Sequence, residues 1–484
     1  MRKITPFALP AVLLVAACMG APGYRPAPVV VPATWETAEP ARVPAAAPVS
    51  APAELRQRPD AETGVTFDTG FWRQLGDSTL ARLMEEAVAA NLDVRAAQAR
   101  VSESRAERAR SVLEMTTPSA ALSGGYSRRR FAAASFPGAS GSFPDEDVWD
   151  AGFDAAWELD LFGRLRHGVQ ARSALVESNE ESLRGTLVSL TAELARTYFE
   201  LRGAQERLEV SRRNAENQRR TLQLTRERLD AGRGTAFDTE RAAAQLSVTL
   251  ASIPSREAEV AAARNRIAVL TGRTPTGLDA ELASVAGQPE LPDTVAVESP
   301  ASVIRSRPDV AAAERYAAAQ AALAGSARAE YLPRLTVGGT LGYTSGDFNA
   351  LGNAGTFRYA VGPVLSWPAL NLGRVRQSVS AAQARADAAR AEYGQSVLAA
   401  LEEVQTAQVR YRGARARVAE LEKASAASDR AAELARMRFA EGITDFLQVL
   451  DAERTELESQ ELLAQGRTEA ATAYAALYKA LGGR

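Results

Sequence analysis

Two patterns of apolar residues alternate along this 484-residue chain. In the first, Leu187, Leu190, Leu194, Thr197, Leu201, Ala204 and Leu208 step by threes and fours. Val397, Leu401, Val404, Gln408, Tyr411, Arg415 and Val418 repeat that spacing with polar interruptions. This is the heptad seam of coiled helices, narrower than the stripe of an ordinary surface helix. Residues 145–253 and 369–484 contain no proline, so helices much longer than usual are predicted there. In the second pattern the period falls to two. Trp149, Ala151, Phe153, Ala155 and Trp157 alternate with small or acidic residues. Leu335, Val337, Gly339, Leu341 and Tyr343 do the same, as do Phe357, Tyr359, Val361, Pro363, Leu365 and Trp367. With a weaker partner near Ala120 to Ser127, this predicts four strands in two hairpins, with polar loops at 128–147 and 345–356.

The strands suit a bilayer better than a soluble core. One face is apolar and the other small, polar or charged, as in a barrel strand with a wet lumen. Fourteen of the 30 aromatic residues fall in 119–162 and 331–367. Trp149 and Trp157 are eight residues apart, about 26 Å along a strand, which matches the spacing of two interfacial girdles. Four strands cannot close a barrel, and an open edge in lipid leaves backbone groups unpaired. The chain is therefore expected to oligomerise about an axis.

A self-comparison shows why both patterns occur twice. Trp157, Gly163, Arg164 and Arg166 are matched by Trp367, Gly373, Arg374 and Arg376, each 210 residues later. Arg228 and Gly232 match Arg438 and Gly442 at the same offset. The chain reads as a tandem repeat, residues 65–271 and 301–484, joined by a Pro- and Gly-rich segment at 272–300. The hairpins are expected at about 119–160 and about 334–368.

Composition removes chemistry and adds an anchor. The net charge is −2, which leaves no basic excess to neutralise phosphates, so no nucleic-acid partner is expected. A Cys/His zinc site, a disulfide framework or a Ser-His or Cys-His triad inside the chain each needs residues that a sequence with one Cys and one His hardly has. No cofactor, metal or enzymatic activity is expected. His167 reads as solvated or hydrogen-bonded, and Arg164, Arg166, Arg374 and Arg376 as interfacial residues or helix-start hydrogen bonders. Residues 1–17 read as an export signal, with Arg2 and Lys3 preceding an apolar run too short to span a bilayer. The run ends in Val15-Ala16-Ala17-Cys18, which looks like a lipobox whose Cys18 is lipidated and becomes the mature N-terminus. Met19 after it favours the outer membrane. Residues 18–64, with nine prolines between Pro22 and Pro59, read as a tether.

The segment Leu159-Asp160-Leu161-Phe162-Gly163-Arg164-Leu165-Arg166 resembles the repeat signature of TolC-like outer-membrane factors, in their OprM/NodT-type lipoprotein branch. Arg307-Pro308-Asp309, Ala327 to Pro333 and Gly442 to Asp451 carry the same resemblance, which covers roughly residues 65 to 482. It implies a mainly α fold with a membrane β portion: a homotrimer with a 12-stranded outer-membrane barrel continued by a periplasmic α-helical barrel. It also implies an exit duct of a tripartite efflux pump, partnered by a periplasmic adaptor and an inner-membrane transporter of the RND type. Type I protein secretion, metal-cation efflux and a pore-free lipid-anchored scaffold are the alternatives. In such proteins the helix tips close the entrance and dock the adaptor. Here the tips are Gly232, Arg233, Gly234 and Thr235, and Gly442, Ile443 and Thr444. Leu447 and Asp451, four residues apart on one helix face, match the family's apolar and acidic gate rings. Gln448 stands where a further aspartate is usual, and the first tip turn is expected to be one residue longer than the second.

Overall fold

The computed structural model describes residues 31–35, 70–132, 138, 141–278, 281–283, 287–293, 295 and 297–483. The signal segment and Cys18 lie outside the described residues, as does most of the expected tether. In chain order the elements are α1 (Gly70–Arg73), α2 (Ser78–Ala90), α3 (Leu92–Thr116), β1 (Ser119–Arg129) and β2 (Glu146–Leu159). The long α4 (Arg164–Asp230) and α5 (Ala236–Leu270) follow. After the linker come α6 (Pro300–Ser306), α7 (Pro308–Ala329), β3 (Arg334–Ser345), β4 (Phe357–Ser366), α8 (Leu372–Ala440) and α9 (Phe446–Ala480). The repeat is plain in this order: a helix, a hairpin, a helix of 67 or 69 residues and one of 35. Among the described residues no helix is long and apolar enough to cross a membrane.

The chain forms two compact units, one from residues 100–179 and 312–393, the other from 28–99, 180–311 and 394–484. In the first, the four strands make one antiparallel sheet in the order β1-β2-β3-β4. The two expected hairpins are therefore stitched together by a β2–β3 pairing, Trp149 opposite Ser345 through Leu159 opposite Leu335. This register keeps the faces intact across all strands. Leu122 stands beside Phe153, Phe153 beside Leu341, and Leu341 beside Tyr359. Each repeat's tryptophan fastens its hairpin to the preceding helix end. Trp157 Nε1 donates to the Met115 carbonyl (3.1 Å) and Trp367 Nε1 to that of Tyr331 (3.0 Å).

The exits from the two hairpins differ. Gly163 sits at φ +82°, and Asp160 caps α4 by accepting from the N–H groups of Leu165 (3.1 Å) and Arg166 (2.8 Å). Arg164 forks onto Glu158 and Arg166 onto Asp160, so both act as helix-start hydrogen bonders. In the second repeat a 3₁₀ turn, Ala369–Asn371, leads into α8, and Gly373, Arg374 and Arg376 lie inside the helix. His167 Nδ1 meets Gln170 Oε1 at 3.0 Å, its ring set against Gly325.

The second unit is a helical bundle whose core follows the heptads. Leu187, Leu190, Leu194, Thr197, Leu201, Ala204 and Leu208 are all buried, as are Val397, Val404, Gln408, Tyr411 and Val418. Trp72 of α1 is fully buried among Phe71, Phe199, Tyr474 and Tyr478. Tyr198 donates to Asp77 Oδ2 (2.6 Å) and accepts from Arg202 Nη2 (2.8 Å), joining α4 to the cap of α2. Arg307 is buried, donating to the Ala480 carbonyl (2.9 Å) while pairing with Asp309 (2.6 Å) and Glu403 (2.7 Å). Burial alone would raise the Asp309 pKa, but the Arg307 hydrogen bonds and charge outweigh it and hold the carboxyl below its ordinary value. Within the expected tether, Val31 and Trp35 are buried, and Trp35 Nε1 donates to the Glu298 carbonyl (2.8 Å).

Proline did not end α5 as its rule suggests. Pro254 lies inside the helix at an exposed position. At Gly203 of α4 the bundle packs closest to α9. A Cβ there would overlap Thr468 Oγ1 and come within 2.9 Å of Thr468 Cβ and Cγ2. Gly203→Ala is expected to cost about 1–3 kcal/mol through overpacking. The check is the thermal transition of the detergent-solubilised protein by circular dichroism, with Gly413→Ala as comparison, because nothing lies within 4 Å of a Cβ at Gly413.

Candidate functional site

Two regions have chemistry beyond packing: the sheet and the helix tips. On the sheet, much of the apolar face is left uncovered by the described residues. Leu122, Tyr359, Val361 and Leu365 are between 69 and 87% exposed, a degree of apolar exposure that marks an interaction or membrane surface. The opposite face has Ser, Thr, Gly and charged residues in the same register. Near one end, Thr344 donates to Asp150 Oδ1 (2.6 Å), and Arg358 Nε donates to Thr344 Oγ1 (2.7 Å) while Nη2 pairs with Asp150 (3.4 Å). Arg128, Arg129 and Arg130, at the hairpin end, are answered across it by Asp145, Glu146 and Asp147. They are therefore no free cationic patch.

The tips arise where α4 turns into α5 and α8 into α9. Gly232 (φ +69°) and Gly442 (φ +80°) each supply the left-handed residue of a Schellman stop. The bonds are equivalent: Arg233 N–H to the Arg228 carbonyl (2.8 Å) and Ile443 N–H to that of Arg438 (2.9 Å). Thr235 then caps α5 by accepting from the Asp238 N–H, and Asp445 caps α9 by accepting from that of Gln448. Both turns thus have five residues, 231–235 and 441–445, between their helices. The expected one-residue difference does not occur, because Asp445 belongs to the turn as the cap.

Beyond the second tip, Phe446 and Val449 are buried in a cluster with Leu222, Leu246 and Phe439. That anchoring turns Leu447 and Asp451 outward on the opposite side of α9. Leu447 is 47% exposed, and Asp451 is exposed with Arg454 as its pair (3.1 Å). Gln448 serves the turn, its Oε1 accepting from Thr444 Oγ1. Gly234 packs against the end of α4, and Arg233 is exposed. The 210-residue offset also points to a pair that motif reading passed over. Phe237 and Arg241 occupy the places of Leu447 and Asp451, with Phe237 63% exposed and the Arg241 guanidinium 5.2 Å from its ring centroid.

Behind the tips lies a polar layer that the heptads hid. Arg436 of α8 donates Nε to Glu453 Oε1 (3.0 Å) and pairs through Nη2 with Glu456, both acids buried on α9. Thr221 of α4 donates to the same Glu453 oxygen (2.7 Å). Burial pushes the Glu456 carboxyl up, and Arg436 opposes that. A raised folded-state pKa means that the folded state binds protons more readily, so this group's stability contribution is lost as pH rises through that value. Removing Arg436 would leave two buried carboxylates without compensation, a loss of about 3–5 kcal/mol. Arg436→Ala is expected to make the 441–445 turn protease-sensitive at neutral pH and partly recover as pH falls toward 5. Timed proteolysis at the two pH values checks both parts.

The family model for outer membrane efflux proteins matches residues 83–273 and 300–483. The solved structure of the outer-membrane channel OprN superposes with a TM-score of 0.84 at 37% identity, covering 96% of this chain and 99% of that one. Outer membrane protein OprJ of Pseudomonas aeruginosa is 29% identical over 433 residues, 87% of each chain. The probable outer membrane lipoprotein SilC of Salmonella typhimurium is 25% identical over 420 residues, 86% of this chain and 88% of that one. The chain belongs to the outer membrane efflux protein family and is an outer-membrane channel of an efflux system.

Proposed function

We propose that three copies of this chain join their sheets, β4 of one to β1 of the next, into a 12-stranded barrel that is the outer exit of a tripartite pump. The observation that carries this is a four-stranded sheet whose exposed apolar face fits lipid while its two outer edges, β1 and β4, are unpaired among the described residues. In hydrocarbon such edges require partners, and cyclic closure supplies them. The helical unit is the periplasmic duct, entered at the tips. A periplasmic adaptor docks on Arg233, Gly234 and Thr235 and on Ile443 and Thr444, with an RND-type transporter in the inner membrane delivering cargo. The chain itself performs no covalent chemistry. Cys18 carries the lipid, a reading supported by the lipobox and by the likeness to an outer membrane lipoprotein.

Leu447 and Asp451 are the gate: three leucines make a hydrophobic constriction and three aspartates a negative ring. Their shared exposed face on α9 supports this, and so does the Gln448 side chain's engagement with Thr444. The purified full-length protein is expected to have the mass of three chains and to conduct in planar bilayers. Asp451→Ala is expected to raise the resting conductance. A monomer without conductance overturns the channel assembly, and an unchanged single-channel current for Asp451→Ala removes that residue from the gate.

A further inference from the structure

The polar face of the sheet balances its charges with one exception. Arg129 meets Glu146 (3.4 Å), Arg358 meets Asp150 (3.4 Å), Glu158 meets Arg164 (2.7 Å), and Arg334 meets Glu330 (3.4 Å). Asp154 has no ion-pair partner among the described residues. Its one side-chain hydrogen bond there is from Ser123 Oγ at 3.3 Å. The register leaves open room before it: Ala121 and Thr340 stand directly beside it, Ala360 one strand further, and Ala156 two residues along β2. Asp154, Ala121, Ala156, Thr340 and Ala360 line a shared concavity, with Val364 further along its wall. Along the strand Asp154 falls between Trp149 and Trp157, within the span of the apolar face.

We propose that Asp154 is a second cation-selecting charge of the channel, set inside the barrel and separate from Asp451. This rests on the trimeric barrel: closure brings three copies of the carboxylate to one level of the lumen. Within the sheet the paired charges offset one another in part, whereas Asp154 is met only by the Ser123 hydroxyl. The uncompensated ring draws in small cations and cationic amphiphiles and repels anions over about one Debye length, ~8 Å at physiological salt. The residues beside the carboxylate, Ala121, Thr340 and Ala360, are small, so discrimination at this level comes from charge and not from width.

The test is the reversal potential of full-length channels in planar bilayers under a KCl gradient, for Asp154→Asn in the wild type and in the Asp451→Ala background. The cation-to-anion permeability ratio is expected to fall at least about twofold in both backgrounds, because the two rings act separately. Thr340→Lys, which puts a cation directly beside an intact Asp154, is expected to lower it likewise. The paired change Asp150→Asn with Arg358→Gln is expected to leave it nearly unchanged. Wild-type conductance with an unaltered ratio in both Asp154→Asn and Thr340→Lys overturns this inference and leaves the trimeric channel standing. Loss of trimer mass and conductance in the wild type itself overturns both.

Discussion

An unpaired backbone amide in hydrocarbon costs several kcal/mol, and the structure is organised around that cost. Among the described residues, β2 and β3 pair in addition to the two hairpins, which leaves two strand edges open. The pairing holds Phe153, Leu341 and Tyr359 in one row, and with them the entire apolar face. A one-residue slip at the β2–β3 seam would turn half the sheet's apolar residues toward the polar side. The Trp157 and Trp367 hydrogen bonds to helix-end carbonyls anchor both hairpins against such a slip. Everything else in the chain can be helix because the sheet has taken up the membrane problem.

The helical unit has the opposite difficulty, since long helices must bury a seam without a broad core. It uses small and medium side chains on the heptad positions and permits backbone approach at Gly203. Charges in the seam are paired through arginine. Arg307 engages two carboxylates and a carbonyl, and Arg436 two carboxylates. A planar guanidinium can hold several acceptors in fixed directions, whereas an ammonium behaves as a point charge. The presence of only three lysines among 57 basic residues fits this use.

Much of this was legible in the residues. The heptads located buried positions such as Leu194 and Val404, and the period-two runs located the strands, because each periodicity reflects a single buried or lipid-facing side. The 210-residue offset placed both tips. What escaped was either non-periodic or dependent on three dimensions. The β2–β3 seam joins strands from different repeats, and no local pattern encodes that pairing. Pro254 inside α5 is equally unreadable from local rules, since it lies at an exposed position of the helix. The second turn is one residue longer than its sequence suggests, because Asp445 belongs to it as the cap of α9. Glu453 and Glu456 resemble any solvated acids on a coil until Arg436 and Thr221 are seen to converge on them.

The equal turns have a consequence for whatever meets the tips. Both reversals have the same backbone stop and the same number of residues, but their surfaces differ. The first presents Arg233, Phe237 and Arg241, and the second Ile443, Leu447 and Asp451. Three chains would offer six hairpins of one shape in two alternating chemistries, one basic and aromatic, the other aliphatic and acidic. A six-copy partner could seat on the common shape yet would have to tolerate both chemistries with one sequence. Its two neighbouring copies would then hold the same hairpin backbone through different side-chain contacts, so that gripping and releasing need not happen at all six places together.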